Sequence, residues 1–195
     1  MFLENTINHS KQSGWMEVIC GSMFSGKTEE LIRRLRRAEM AGQNVEIFKP
    51  KTDTRYSDED VVSHNKNKIR STAVENPNEI ILLGSNCDVV GIDEAQFFDE
   101  SIVEVANQLA NSGIRVVIAG LDMDFLGRPF GPIPNLMATA EYVTKVHAIC
   151  KRTGNLANYS MRTSQGNNLV ELGETESYEA VSRRVFIEEV LSKKK

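Results

Sequence analysis

The sequence predicts an α/β fold in which a parallel sheet is flanked by helices and followed by a small β-rich subdomain. Short runs rich in Val and Ile alternate with amphipathic stretches of helix length, and this alternation favours a parallel sheet covered on both faces. A glycine-rich segment joins the first of these strands to the first helix. The chain has 195 residues, of which 41% are hydrophobic, so it can bury a core of its own.

The strands are predicted from four short apolar runs, each of strand length and rich in Val or Ile. These runs are Met16–Cys20, Asn44–Phe48, Val89–Ile92 and Arg115–Ala119. A further strand-like run, Tyr142–Ile149, follows a segment rich in Gly and Pro at residues 122–134, which we expect to be a loop.

Two helices are predicted from apolar residues at helical spacing. Lys27–Met40 is followed by Gly42, and Glu100–Asn111 is followed by Gly113; glycine just beyond such a stretch commonly ends a helix. The apolar stripe of the first helix consists of Leu31, Ile32, Leu35 and Ala38, and its arginines at 33, 34, 36 and 37 are expected on the other faces. The chain then divides into a tail (1–13), an α/β domain (14–140) and a smaller subdomain with a basic end (141–195).

Charge and cysteine content argue against several classes of protein. Lys and Arg number 23 against 27 Asp and Glu, and this acidic balance disfavours a nucleic-acid partner. No uncharged apolar run reaches the about 18 residues of a membrane span, and residues 1–13 lack the apolar core of a secretory signal. The three cysteines are far apart in the sequence, which disfavours a disulfide framework. We expect a cytoplasmic protein with no membrane partner.

The glycine-rich segment has the spacing of a P-loop, which predicts an NTPase-type sheet. In such a loop the backbone N–H groups and the following helix N-terminus bind phosphate oxygens, the lysine adds charge, and the hydroxyl reaches Mg²⁺. Its position between a strand and a helix favours this interpretation over a simple glycine turn. The segment consists of Gly21, Ser22, Met23, Phe24, Ser25, Gly26, Lys27 and Thr28.

Two adjacent acids, Asp93 and Glu94, follow the third predicted strand. Ligands of open α/β sheets bind where the parallel strands end. Asp93 is therefore a candidate Mg²⁺ ligand, and Glu94 is a candidate general base for a hydroxyl or a water. The alternative is a pair of acids that caps the next helix.

Three further segments accompany the P-loop in a characteristic order: K-T-D-T-R-Y-S at 51–57, D-E-A-Q-F-F at 93–98, and A-G-L-D-M-D-F at 119–125. Together the four segments resemble the type II thymidine kinases, and the resemblance extends from residue 14 to about residue 183. It implies transfer of the γ-phosphate of ATP to the 5′-hydroxyl of thymidine or deoxyuridine with Mg²⁺. It also implies a homotetramer.

The resemblance implies a role for each matched residue. Glu94 is expected to accept the proton of the 5′-hydroxyl, and Thr28 and Asp93 to hold Mg²⁺. The expected ATP-binding set is the whole P-loop with Asp93, Glu94, Ala95, Gln96, Asp53 and Arg55, and the expected thymine contacts are Met23, Phe97, Leu121 and Phe125. From the residues alone, Asp53 and Arg55 could form a surface turn, and the apolar side chains could belong to the core.

Two segments of the subdomain resemble the thymine-binding part of the family. Residues 156–162 resemble its A-x-Y-T-x-R segment, and residues 169–178 resemble the base-gripping loop known as the lasso. Backbone groups of an extended loop can pair with the two carbonyls and the N–H of thymine. The expected contacts here are Ser160, Leu169, Val170, Glu171, Leu172, Gly173 and Tyr178.

The sequence departs from the family at its structural zinc site. Family members usually carry two Cys or Cys/His pairs, and the matching positions here are Cys150, Thr153, Ser182 and Val185. A single thiol cannot complete a tetrahedral site of nitrogen and sulfur ligands, even with His147 nearby. We therefore expect no zinc, and an ordinary buried Cys150. Leu126 also departs from the polar or basic residue that is usual at its position.

Two other functions remain compatible with the sequence. In a P-loop ATPase that acts on a macromolecule, Glu94 would polarise water, and ATP hydrolysis would not depend on thymidine. A non-catalytic nucleotide-binding relative could have lost the zinc ligands. The presence of Lys27, Thr28, Asp93 and Glu94 together disfavours this second alternative.

Overall fold

A parallel sheet with helices on both faces forms the body of the protein. The computed structural model describes residues 14–51, 60–62, 68–163 and 177–191. The strands in these ranges are Trp15–Gly21 (β1), Val45–Pro50 (β2), Asp60–Val62 (β3), Lys68–Arg70 (β4), Thr72–Val74 (β5), Val89–Ile92 (β6), Arg115–Leu121 (β7), Tyr142–Val146 (β8), Ala148–Ile149 (β9), Leu156–Ala157 (β10), Tyr159–Arg162 (β11) and Tyr178–Val181 (β12). The helices are Lys27–Met40 (α1), Pro77–Gly84 (α2), Ser101–Asn111 (α3), Ile133–Thr139 (α4) and Arg183–Phe186 (α5), which continues into a π-helical turn, Ile187–Leu191.

Within the described residues, the sheet has six strands in the order β5-β2-β6-β7-β1-β8, and neighbouring strands are parallel. Smaller antiparallel pairs are formed by β3 with β4, β9 with β10, and β11 with β12. The predicted α/β class is therefore confirmed. The ends of β1, β6 and β7 meet at one edge of the sheet, where the P-loop and the two acids lie.

The predicted elements of the first part are all present. The four apolar runs form β1, β2, β6 and β7, and α1 spans Lys27–Met40 as the periodicity predicts. Among the described residues, four elements between β2 and β6 were not predicted, namely β3, β4, β5 and α2. The α2 helix begins with a capping box in which Asn76 and Glu79 each accept a backbone N–H, and Pro77 occupies its first turn.

Strand β8 differs from the predicted division of the chain. The sequence assigned residues 142–149 to the small subdomain, but β8 pairs in parallel with β1 from Tyr142 opposite Glu17 to Val146 opposite Gly21. After α4 the chain returns to the free edge of β1, so the larger sheet continues past residue 140. The smaller β-rich part starts at β9.

Two apolar layers cover the faces of the sheet. Side chains alternate along β1, so Met16, Val18 and Cys20 pack with the helices α2, α3 and α4, and Ile19 packs with α1. The predicted stripe of α1 is buried as expected. Arg34 was expected on another face and is also buried, because its guanidinium donates to Glu17 Oε2 at 2.8 Å and to Glu30 Oε1 at 2.8 Å.

The smaller β-rich part has a core of its own. Tyr159 stacks on Phe186 with 4.3 Å between ring centroids, and Val181 and Val185 pack beside them. Phe24 from the P-loop also packs against this core, and joins it to the larger sheet. None of the described helices combines the length and the apolar character needed to cross a membrane.

Candidate active site

The P-loop connects β1 to α1 as predicted. Gly21 must lack a side chain, because a Cβ there would lie 2.1 Å from the carbonyl oxygen of Val146 in β8. Gly26 caps α1 with a positive φ of 84°, a conformation that glycine adopts without strain. Lys27 Nζ donates to the carbonyl oxygen of Ser22 at 2.8 Å, so the lysine lies along the loop. The N-terminus of α1 and the loop backbone thus form an anion-binding arrangement.

The smaller β-rich part holds the P-loop from the side. The backbone N–H of Met23 donates to Ser160 Oγ at 2.9 Å, and Ser22 Oγ donates to the carbonyl oxygen of Ala157 at 3.1 Å. Ser160 was predicted as a polar thymine contact, and the structure also gives it this loop partner. The shape of the phosphate loop therefore depends on β10 and β11.

Asp93 lies directly beside the P-loop. Thr28 Oγ1 donates to Asp93 Oδ2 at 3.2 Å, and Asp93 is buried with 5% exposure. Burial, and then the neighbouring Glu94 carboxylate, raise the pKa of Asp93 above its ordinary value. A hydroxyl and a carboxylate are hard oxygen ligands of the kind that Mg²⁺ prefers, so the two residues fit the predicted Mg²⁺ site.

Glu94 is held in a left-handed backbone conformation with φ 51° and ψ 38°, which is uncommon outside glycine and costs about 1 kcal/mol or more. Its N–H donates to Asp93 Oδ1 at 2.9 Å. Its carboxylate accepts a hydrogen bond from Gln96 Nε2 at 2.5 Å, and the backbone N–H of Leu121 donates to Gln96 Oε1 at 2.9 Å. Both the backbone and the side chain of Glu94 are therefore fixed.

The predicted thymine contacts in the described residues fall into two groups. Phe97 is half-buried and meets Phe130 edge to face at 6.0 Å between centroids. Phe125 lies under the Arg162 guanidinium, whose carbon is 4.1 Å from the ring centroid, and Arg162 Nη2 donates to the Tyr178 hydroxyl at 2.8 Å. Arg162 thus joins the loop after β7 to β12.

Sequence reasoning gave Arg162 no role of its own, although it is the arginine of the A-x-Y-T-x-R segment. That match is the feature that could have identified it. The predicted contacts Asp53, Arg55, Leu169, Val170, Glu171, Leu172 and Gly173 lie outside the described residues.

The positions that match the family's zinc ligands lie close together without forming a ligand set. Thr153 Oγ1 donates to Ser182 Oγ at 3.4 Å, and Cys150 and Val185 are buried in the same core. Burial raises the pKa of the Cys150 thiol, but hydrogen bonds from Thr153, Ser182 and Arg152 outweigh this and lower it to about 7. Among the residues that the structure describes, no group of three or more His, Cys, Asp or Glu side chains is placed to hold a metal ion. One thiol, two hydroxyls and an apolar side chain do not fit a structural zinc site, which typically takes four Cys or His ligands.

Comparison with known proteins identifies close relatives over nearly the whole chain. Residues 14–186 match the thymidine kinase family. The chain is 58% identical to the thymidine kinase of Bacteroides thetaiotaomicron, over 96% of this chain and 94% of that protein. It is 61% identical to the thymidine kinase of Porphyromonas gingivalis strain W83, over 94% of this chain and 90% of that protein. A thymidine kinase from Rhodothermus sp. is 58% identical over 92% of this chain and 84% of that protein.

Proposed function

Because this chain belongs to the thymidine kinase family, we propose that Glu94 is the general base and that the P-loop, Thr28 and Asp93 bind the triphosphate of ATP. Family membership establishes the reaction, in which thymidine and ATP are the substrates. It also argues against the two alternatives from the sequence, a P-loop ATPase that acts on a macromolecule and a non-catalytic nucleotide-binding relative.

One observation carries the assignment. Asp93 Oδ2 lies 3.2 Å from the hydroxyl of Thr28 in the P-loop, and Glu94 is the next residue along the chain. The Asp93 carboxylate is therefore held at the edge of the sheet where the phosphates of ATP would lie. Phosphoryl transfer depends mainly on alignment and on neutralisation of charge, and both needs are met at this edge.

The P-loop and Lys27 bind the phosphates of ATP in this proposal. Backbone N–H groups of the loop and the N-terminus of α1 bind the phosphate oxygens. Lys27 exchanges the carbonyl oxygen of Ser22 for a phosphate oxygen and places its charge on the transferred group. Thr28 and Asp93 would hold Mg²⁺, which when bound neutralises charge on the phosphates.

Glu94 acts at the nucleoside end. As the 5′-oxygen of thymidine forms its bond to the γ-phosphorus, the carboxylate accepts the hydroxyl proton. The bond between the γ-phosphorus and the bridging oxygen breaks, and the electron pair leaves with ADP. The hydrogen bond from Gln96 and the left-handed backbone keep the carboxylate in one place during this step.

Thymine would be held between the loop after β7 and the smaller β-rich part. Met23, Phe97, Leu121 and Phe125 supply apolar contacts in this proposal, and Ser160 and Tyr178 lie at its polar edge. Arg162 packs over the Phe125 ring and donates to the Tyr178 hydroxyl. The family resemblance adds Asp53 and Arg55 beside the phosphates and residues 169–173 around the base. A closed pocket of this kind would reject cytosine, whose donors and acceptors would be left unpaired.

Three wider properties are also part of the proposal. A structural zinc is not expected, because Cys150 supplies the one thiol among the matching positions. In place of a metal, the described residues hold the smaller part through the stacking of Tyr159 on Phe186 and through Arg152, which donates to Glu179 at 2.5 Å. A homotetramer and a cytoplasmic location are inferred from the resemblance and the sequence.

The Glu94→Gln variant tests the proposed base. It keeps the size and shape of the side chain, so ATP binding should be nearly unchanged, and kcat for thymidine-dependent ADP release should fall by about 10²- to 10⁴-fold. Glu104→Gln is a matched control, because Glu104 is exposed on α3, and it should keep full kcat. A Glu94→Gln variant with the kcat of the parent protein would disprove the assignment.

A further inference from the structure

Gln96 occupies a buried position between the proposed base and the end of β7. The side chain has 3% exposure. It reaches Glu94, two residues away, and Leu121, twenty-five residues away in the sequence. Its side-chain amide nitrogen donates to Glu94, and its amide oxygen accepts from Leu121.

The hydrogen bonds fix the orientation of this amide. The backbone N–H of Leu121 can only donate, so the Gln96 oxygen faces it, at 2.9 Å. The amide nitrogen then faces Glu94 Oε2 at 2.5 Å. An ionised carboxylate accepts but cannot donate, so the Gln96 amide presents the partner that the basic form of Glu94 needs.

Two glycines, Gly120 and Gly131, allow the neighbouring backbone to approach Gln96 closely. A Cβ on Gly120 would lie 2.9 Å from Gln96 Oε1 and 2.4 Å from Ile133 Cδ1. A Cβ on Gly131 would lie 2.5 Å from the Gln96 carbonyl oxygen. The end of β7 and the loop before α4 therefore both pack closely on Gln96.

We propose that Gln96 is a positioning residue for phosphoryl transfer, which holds the Glu94 carboxylate in place and ties it to Leu121. This rests on the proposed role of Glu94 as the base. Leu121 is among the expected thymine contacts. Gln96 therefore connects a residue expected at the base of thymidine to the carboxylate that accepts the proton of the 5′-hydroxyl. A displacement of about 1 Å at a reacting group can cost about 10²-fold in rate.

Two variants test the two hydrogen bonds of Gln96. Gln96→Met keeps the volume and removes both hydrogen bonds. Gln96→Glu keeps an acceptor for Leu121 but replaces the neutral amide donor with a second carboxyl group beside Glu94. Both should lower kcat by about 10- to 100-fold. Although the resemblance counts Gln96 among the ATP contacts, its side chain bonds to Glu94 and Leu121, so KM for ATP should stay nearly unchanged. Asn107→Leu is the control, since it removes an amide that donates to Val103 O at 2.7 Å within α3, and it should keep full kcat. Wild-type kcat in Gln96→Met would overturn the proposal.

A double-mutant cycle with Glu94→Gln distinguishes positioning from a merely structural role. If Gln96 acts through Glu94, Gln96→Met should lower kcat by less than about twofold once Glu94 is Gln. If Gln96→Met has its full effect in that background, Gln96 supports the fold and the proposal is wrong. Full kcat in the single variant Glu94→Gln would instead disprove the base, and with it the positioning role. The outcomes therefore separate failure of this inference from failure of the proposed function.

Discussion

Replacement of Ser160 with alanine tests whether the smaller β-rich part holds the phosphate loop. Ser160 Oγ accepts the backbone N–H of Met23 at 2.9 Å, and Ser160 has 5% exposure. Alanine fits the same space but leaves that N–H without its acceptor. Because Met23 and Ser160 are both expected thymine contacts, we expect the Ser160→Ala variant to be less stable and to bind thymidine more weakly.

The size of the effect follows from the lost hydrogen bond. A partly buried N–H that loses its acceptor costs about 1–2 kcal/mol. In a chain of this size each kcal/mol lowers Tm by about 2–4 °C, so scanning calorimetry should show a decrease of about 2–8 °C. If half or more of this free energy is lost from the form that binds thymidine, KM for thymidine should rise by about 2- to 30-fold.

Two further variants control for general effects of the substitution. Ser112→Ala removes an exposed hydroxyl that donates to Gln108 O at 2.9 Å, and should change stability by less than about 0.5 kcal/mol. Ser160→Thr restores the acceptor, so it should recover most of both losses. The reasoning is refuted if Ser160→Ala matches Ser112→Ala in Tm and in KM for thymidine.

Two other predictions concern acid stability and thymidine binding. Arg33, together with Arg34, lowers the pKa of Glu30 to about 2, so the stabilisation by Glu30 is complete above its ordinary pKa and is lost as the pH falls from about 5 towards 2. Denaturant titrations over this range should show the parent protein losing about 1–2 kcal/mol more than Glu30→Gln, and equal losses would contradict this. Tyr178→Phe removes the hydroxyl that accepts from Arg162 at 2.8 Å, and initial rates should show KM for thymidine rising about tenfold with little change in kcat. An unchanged KM would separate Tyr178 from the thymine site.

Local sequence patterns were sufficient for the elements that carry the phosphate loop. The stripe of α1 gave the bounds of that helix, because its apolar side chains all face the sheet. The run that forms β6 placed Asp93 and Glu94 at a strand end, since buried parallel strands are continuously apolar. The α2 helix was missed even though Asn76, Pro77 and Glu79 form a helix start, because its short apolar run gives little periodicity.

Contacts between distant segments could not be predicted in this way. Arg34 has the sequence context of an exposed helix residue, and it is buried because Glu17 in β1 supplies a partner. The sequence of β8 has no feature that assigns it to the larger sheet or to the smaller part. It pairs with β1 because one edge of β1 has no other strand beside it. The bridge from Glu94 through Gln96 to Leu121 depends on strands that lie side by side only in the folded chain.

The most direct test of the account is ADP release from Mg-ATP with each nucleoside added separately, on protein whose zinc content has been measured. We predict that thymidine stimulates release and that zinc is well below one atom per chain, because the positions of the family's zinc ligands supply a single thiol. ADP release that does not respond to thymidine would contradict the assigned reaction at this site. Zinc bound at one atom per chain would contradict the structural account of Cys150, Thr153 and Ser182.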